Sequence, residues 1–174
     1  NSGSSASLKY IYYDGDSWSN PEIIVSGGVS LGNYLSFALD SNNKPHVVYS
    51  DVTSLKYINK VGPSWSAAEI IETGVAEDVG DYNSLAIDSN DKAHISYYGD
   101  FYLTYATNAS GTWVTTVADQ SGYTGQYSSI AIDSKDKVHI SYWDSLNSDL
   151  RYATNASGTW VTDIIDSHDV MGKY

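Results

Sequence analysis

Three pairs of side chains in this sequence have the types and spacing for acid–base chemistry: Asp40 with His46, Asp88 with His94, and Asp133 with His139. A carboxylate beside an imidazole raises the imidazole pKa and makes it a candidate general acid or base. The other reading is that each pair hydrogen-bonds across a tight hairpin and fixes it. Recurrence of the pair favours the fixing role, because a catalyst concentrates its chemistry at one place and breaks symmetry there.

The turns inside these pairs read DSNNK, DSNDK and DSKDK. Oxygen side chains at Asp88, Asn90 and Asp91 are spaced as calcium ligands could be, and calcium takes about six to eight oxygens. Against a metal, Lys44, Lys92 and Lys137 end the turns, and Lys135 stands where a middle ligand would be. A hairpin turn built from Asx residues needs no ion, so the expected cofactor is none, with calcium as the alternative.

The loops that follow differ most from one another: YSDVTS, YYGDFY and YWDSLNSD. Tyr98 and Trp143 occupy equivalent places, with Asp100 and Asp144 beside them and Asp51 in the first loop. An exposed ring packs on the C–H face of a sugar while neighbouring carboxylates accept its hydroxyls. Alternatively the rings pack between neighbouring sheets, and Ser50 stands at this place in the first loop. Trp18, Trp65, Trp113 and Trp160 read as packing anchors, and Asn108 and Asn155 lie in N-x-S sequons.

The elements that position these groups repeat. Tyr10, Tyr57, Tyr105 and Tyr152 recur at steps of 47, 48 and 47, and the tryptophans follow the same steps. LGNY, VGDY, TGQY and MGKY open successive units, and YATNASGTWVT occurs twice, at 105–115 and 152–162. Within a unit apolar residues alternate with polar or small ones, the period of half-buried strands. In YSSIAID, Ile130 and Ile132 share one face, and Ser129 and Ala131 the other, where small side chains let sheets approach. Four short strands per unit predict an antiparallel meander, the blade of a β-propeller. The expected fold is all-β: a leading half-blade at 7–29, blades at 30–77, 78–122 and 123–169, and the start of another at 170–174. Propellers close with about four to eight blades. The expected partners are therefore further blades, from the same longer chain or from a second protomer.

Composition narrows the function. A net charge of −12 and a single arginine, Arg151, argue against a nucleic-acid partner. No run of about 18 apolar residues is present for membrane insertion, and with no cysteine there is neither a disulfide framework nor a thiolate metal site. The polar opening NSGSSASLKY reads as a linker or mature terminus. The mixture of Tyr, Trp, Ser, Asn, Asp and Gly suits a secreted or cell-surface protein.

The text ATNASGTW resembles an eroded Asp-box, S-x-D-x-G-x-T-W, of sialidase-like propellers: Thr112 and Trp113 match, Asn108 replaces the Asp and Ser110 the Gly. Asn155, Ser157, Thr159 and Trp160 repeat this pattern, and IAIDSKDKVHISYWDS is similar to propeller repeats amplified in prokaryotic surface proteins. The resemblance implies the fold. Sialidases hold their substrate with three arginines and fucose-binding propeller lectins use one per sugar site, so one arginine argues against the first activity and supplies at most one site of the second. The expected function is a non-enzymatic extracellular binding or adhesion module, lectin-like, with glycans as candidate partners. The alternatives are part of a propeller glycoside hydrolase or polysaccharide lyase, and a structural surface-assembly repeat.

Overall fold

A computed structural model describes residues 6–28, 34–51, 53–74 and 79–167. They contain fifteen strands and no helix, arranged as four successive antiparallel sheets. The leading hairpin is β1 (Ala6–Tyr10) with β2 (Glu22–Gly28). The first full sheet holds β3 (Leu35–Leu39), β4 (Pro45–Ser50), β5 (Ser54–Val61), β6 (Ser64–Trp65) and β7 (Glu69–Thr73). The second is β8 (Asp81–Ile87), β9 (Ala93–Gly99), β10 (Tyr102–Thr107) and β11 (Val114–Asp119). The third is β12 (Thr124–Ile132), β13 (Val138–Asp144), β14 (Asp149–Thr154) and β15 (Val161–Asp166). The arrangement is propeller-like, and no ring closes among the described residues. The strand start expected at 170–174 lies outside them.

The second and third sheets are four-stranded meanders, as the repeat predicts. The first has five strands because its outer strand is broken into β6 and β7. At the break the Asn59 N–H donates to the Ser66 hydroxyl at 3.2 Å, where a ladder carbonyl would otherwise accept.

Burial follows position in the stack. Every residue of β9 is buried, because the second sheet is covered on both faces. The matching strand β13 alternates, with Ser141 exposed. The small-residue face does more than make room. The Leu85 N–H donates to the Ser36 hydroxyl at 3.0 Å and the Ile130 N–H to the Ser84 hydroxyl at 3.2 Å, joining each first strand to the next. Three core clusters fill the interfaces. Val48, Leu85 and Ile95 belong to one, Tyr105, Ile130 and Ile140 to another, and Val47 with Tyr49 to the third.

The glycines in VGDY and TGQY have a specific cause. Gly80 and Gly125 adopt φ of +86° and +103°. A Cβ on Gly125 would lie 2.7 Å from the Leu103 Cα, and one on Gly80 2.8 Å from the Leu55 Cδ1. Each chain entry into a new sheet therefore presses against the third strand of the sheet before it, and only glycine fits.

Candidate functional site

The Asp–His pairs meet across their hairpins, and the structure adds a third member. His46 Nδ1 is 2.6 Å from the Tyr57 hydroxyl, and His94 Nδ1 is 2.6 Å from that of Tyr105. His139 Nδ1 bonds the Tyr152 hydroxyl in the same way. On the other ring nitrogen, Nε2 lies 3.6, 3.2 and 3.5 Å from Asp40, Asp88 and Asp133 respectively. The aspartate follows a first strand, the histidine sits on the second and the tyrosine on the third. Both ring nitrogens are hydrogen-bonded in the second sheet, whereas His46 Nε2 has no hydrogen-bond partner among the described residues. The 47- and 48-residue tyrosine spacing was the available signal for this third member.

At His46 the electrostatics differ from those of an activated imidazole. Burial lowers the His46 pKa and outweighs the raising influence of Asp40, so the neutral ring is favoured. Burial opposes ionisation of Asp40 and Asp88. Backbone N–H groups of Lys44 and Asn42, and of Lys92 and Asn90, together with the histidines, nevertheless hold both carboxyls below the usual range. Burial also raises the Tyr57 and Tyr105 hydroxyl pKa values. The pair in the third sheet is more open, with His139 and Asp133 side chains 33% and 37% exposed, because none of the described sheets covers it.

The turn oxygens at Asp88 and Asp91 are engaged by donors of the protein itself. Asp88 Oδ1 accepts from the N–H groups of Asn90 and Lys92 at 2.9 and 2.8 Å. Asp91 instead reaches the preceding sheet, where Ser41 donates its N–H and hydroxyl to the two carboxylate oxygens at 2.8 and 3.0 Å. Asp136 grips Ser89 likewise, at 3.0 and 2.7 Å. Asn43, Asp91 and Asp136 hold φ of 58°, 59° and 57°, a left-handed turn position that Asx residues tolerate. Three such turns border a shared hollow of about 360 Å3, lined by Asp40, Ser41, Asp88, Ser89, Asp133 and Ser134.

Of the two readings offered for the Tyr98 and Trp143 rings, Tyr98 takes the packed one. Tyr98 is 5% exposed and packs edge-on against Tyr82 and Phe101, at 6.4 and 6.5 Å between ring centroids. Trp143 is half-buried, 5.9 Å from Tyr127. Asp144, fully buried, accepts from the N–H groups of Leu146 and Asn147 and meets Arg151 at 3.3 Å. Asp51 accepts from the Thr53 N–H and pairs with Lys56. Only Asp100, at the tip of its turn, stands exposed. Tyr98 therefore follows the packing alternative of the sequence reading, and strand alternation alone does not say which face a neighbouring sheet covers.

The exposed rings lie beside the expected ones. Phe101 and Tyr123 are each 48% exposed, with centroids 5.2 Å apart, and Tyr127 is 39% exposed. Asp100, Phe101, Tyr123 and Tyr127 have φ of 49°, 75°, 48° and 51°, unfavourable for residues bearing a Cβ. Tyr34, Tyr82 and Tyr127 form a row across three sheets, with centroids 4.7 and 4.6 Å apart. Trp65, Trp113 and Trp160 pack edge-on against Tyr10, Tyr57 and Tyr105 of the sheet before, at 5.4, 5.0 and 5.1 Å. Trp18 meets Tyr13 of its own hairpin instead and is 66% exposed. Neither a family model nor a curated protein matches the chain.

Proposed function

We propose that this chain is a non-enzymatic binding module of the secreted or cell-surface kind, an arc of a β-propeller that recognises glycans. The observation that carries the reading is the strained, exposed aromatic platform of Phe101 and Tyr123 with Asp100 at its edge. Left-handed backbone at such residues costs about 1–3 kcal/mol each and persists where the surrounding fold enforces it. Rings held to solvent at that cost suit stacking on the apolar face of a sugar, and the carboxylate suits its hydroxyls. The Asp–His–Tyr trios support binding over catalysis, because the same arrangement recurs in all three sheets and each histidine is bonded to a tyrosine of the next strand. A glycan array with the intact chain tests this: retention of at least one glycan class, lost in Phe101→Ala and Tyr123→Ala, is expected. No retained glycan, or retention unchanged in both variants, overturns it.

The same reading includes completion by further blades of this repeat. Leu35, Phe37 and Leu39 on β3 are 48%, 46% and 47% exposed, whereas Leu85 and Ile130, the equivalents of Phe37, are 7% and 8% exposed. At the other end of the stack, Ser129, Ala131 and Ser141 offer an uncovered small-residue face of the type that receives Leu85 and Ile130 inside the chain. Sedimentation velocity should show copies associating as concentration rises, less so for Phe37→Ser. A strictly monomeric chain at every concentration would argue against the open faces needing partners.

A further inference from the structure

The three sheet interfaces carry the same polar position in three different states. A cross-strand pair of a second-strand tyrosine and a third-strand residue recurs as Tyr49 with Lys56, Tyr97 with Thr104 and Tyr142 with Arg151. In the third sheet Arg151 Nη1 lies 3.2 Å from Asp119 of the sheet before and 3.3 Å from Asp144, while the Tyr142 hydroxyl donates to Asp119 at 2.6 Å. In the first sheet Lys56 pairs with Asp51. In both sheets the third-strand cation is held against a carboxylate, within the first sheet for Lys56 and also across to the sheet before for Arg151.

The interface between the first and second sheets keeps the carboxylate and lacks the cation. Glu72 on β7 stands where Asp119 stands on β11, because Leu55 faces Glu72 as Leu103 faces Asp119. The Tyr97 hydroxyl donates to Glu72 as Tyr142 does to Asp119. Thr104 replaces the lysine or arginine, and Gly99 replaces Asp51 and Asp144. Among the described residues no Lys, Arg or His pairs with Glu72. The shortened side chains leave an open hollow of about 280 Å3, lined by Glu72, Gly99, Asp100, Tyr102, Thr104 and Thr116.

The geometry points to this hollow as a binding site for a guanidinium group on a flexible stem, the head group of an arginine side chain, supplied by the ligand in place of the one that Arg151 supplies internally. Glu72 takes the role of Asp119, Asp100 adds a second negative charge at the rim, and the hydroxyl of Thr104 faces a donor-rich head group. A planar guanidinium has five N–H donors and loses little hydration on entering such a site. This site borders the Phe101–Tyr123 platform and shares Asp100 with it, but its test reads Glu72 and Thr104 and so stands or falls independently of glycan binding.

The test titrates N-acetyl-arginine amide into the intact chain and follows backbone amide shifts by NMR, with N-acetyl-citrulline amide as the neutral isostere. Saturable shifts at Thr104 and Tyr97 are expected, with citrulline binding weaker by at least about tenfold, as expected where a charged pair is lost. Glu72→Gln still accepts from the Tyr97 hydroxyl and should keep the fold while losing about tenfold in affinity. Thr104→Arg should fill the hollow from within and abolish the shifts. Equal binding of the two probes, unchanged affinity in Glu72→Gln, or no shift at these amides at any concentration overturns the proposal.

Discussion

Replacing Gly125 with alanine probes the tightest backbone approach between two sheets. The residue holds φ of +103°, and an added Cβ would stand 2.7 Å from the Leu103 Cα, 3.0 Å from its N and 3.2 Å from its Cβ. Backbone atoms of a paired strand cannot swing aside as a side-chain tip can. Two costs therefore act together: about 1–3 kcal/mol for the left-handed conformation, and about 1–3 kcal/mol for overpacking. Gly111 separates them, since its φ is +91° and an added Cβ there would meet nothing within 4 Å. Gly111→Ala should carry the first cost alone. Gly80→Ala should fall between, because its nearest atom is the movable Leu55 Cδ1 at 2.8 Å. In a chain of 174 residues each kcal/mol is worth about 2–4 °C in Tm. Thermal and urea unfolding should rank the variants Gly125→Ala, Gly80→Ala, Gly111→Ala from least to most stable. If Gly125→Ala unfolds no earlier than Gly111→Ala, the close approach of β12's entry to β10 is wrong.

Other perturbations read different parts of the scaffold. Trp113→Ala removes the edge contact with Tyr57 and the 2.7 Å indole bond to Glu69, and should cost about 2–4 kcal/mol in urea unfolding, less than a fully buried tryptophan. Trp18→Ala, at a ring 66% exposed, should change stability by no more than about 0.5 kcal/mol; equal effects of the two would refute the interface role. The His46 pKa lies below its usual 6.5 in the folded state, so its contribution is present above that pH and is lost as pH falls through the folded value. Asp40 and Asp88 lie below their usual 3.8, so theirs is lost further down. Between about pH 7.5 and 5.5 the urea midpoint should drop more for the native chain than for His46→Gln, and an equal drop would count against a buried neutral imidazole.

Much of the architecture was legible because each unit repeats the same physical solution. Period-two alternation marked the strands, and spacing of Tyr57, Tyr105 and Tyr152 marked their order. The broken outer strand of the first sheet was not legible, since it depends on Ser66 finding Asn59. The burial of Tyr98 was legible only as one of two readings. Its neighbours Tyr82 and Phe101 meet it through left-handed backbone at both residues, which alternation does not announce. The histidine–tyrosine contacts were hidden for a related reason: pairing residues 11 or 13 apart requires the register of two hairpins at once.

The duplicated stretch has a consequence for how the chain finds its native pairing. Tyr105–Thr107 lines up with Ser96, Ile95 and His94, and Tyr152–Thr154 lines up with Ser141, Ile140 and His139, so either copy fits either partner strand locally. Swapped strands of this kind are a characteristic failure of repeat proteins. The residues just ahead of the duplication tell the copies apart. A swap would set Thr104 before Asp119 and Asp144, leaving two buried carboxylates without the cation that Arg151 brings. It would carry that cation to Glu72 alone, beside Gly99. The lone arginine thus serves as an address label, distinguishing which of two strands that share Tyr-Ala-Thr belongs in which sheet.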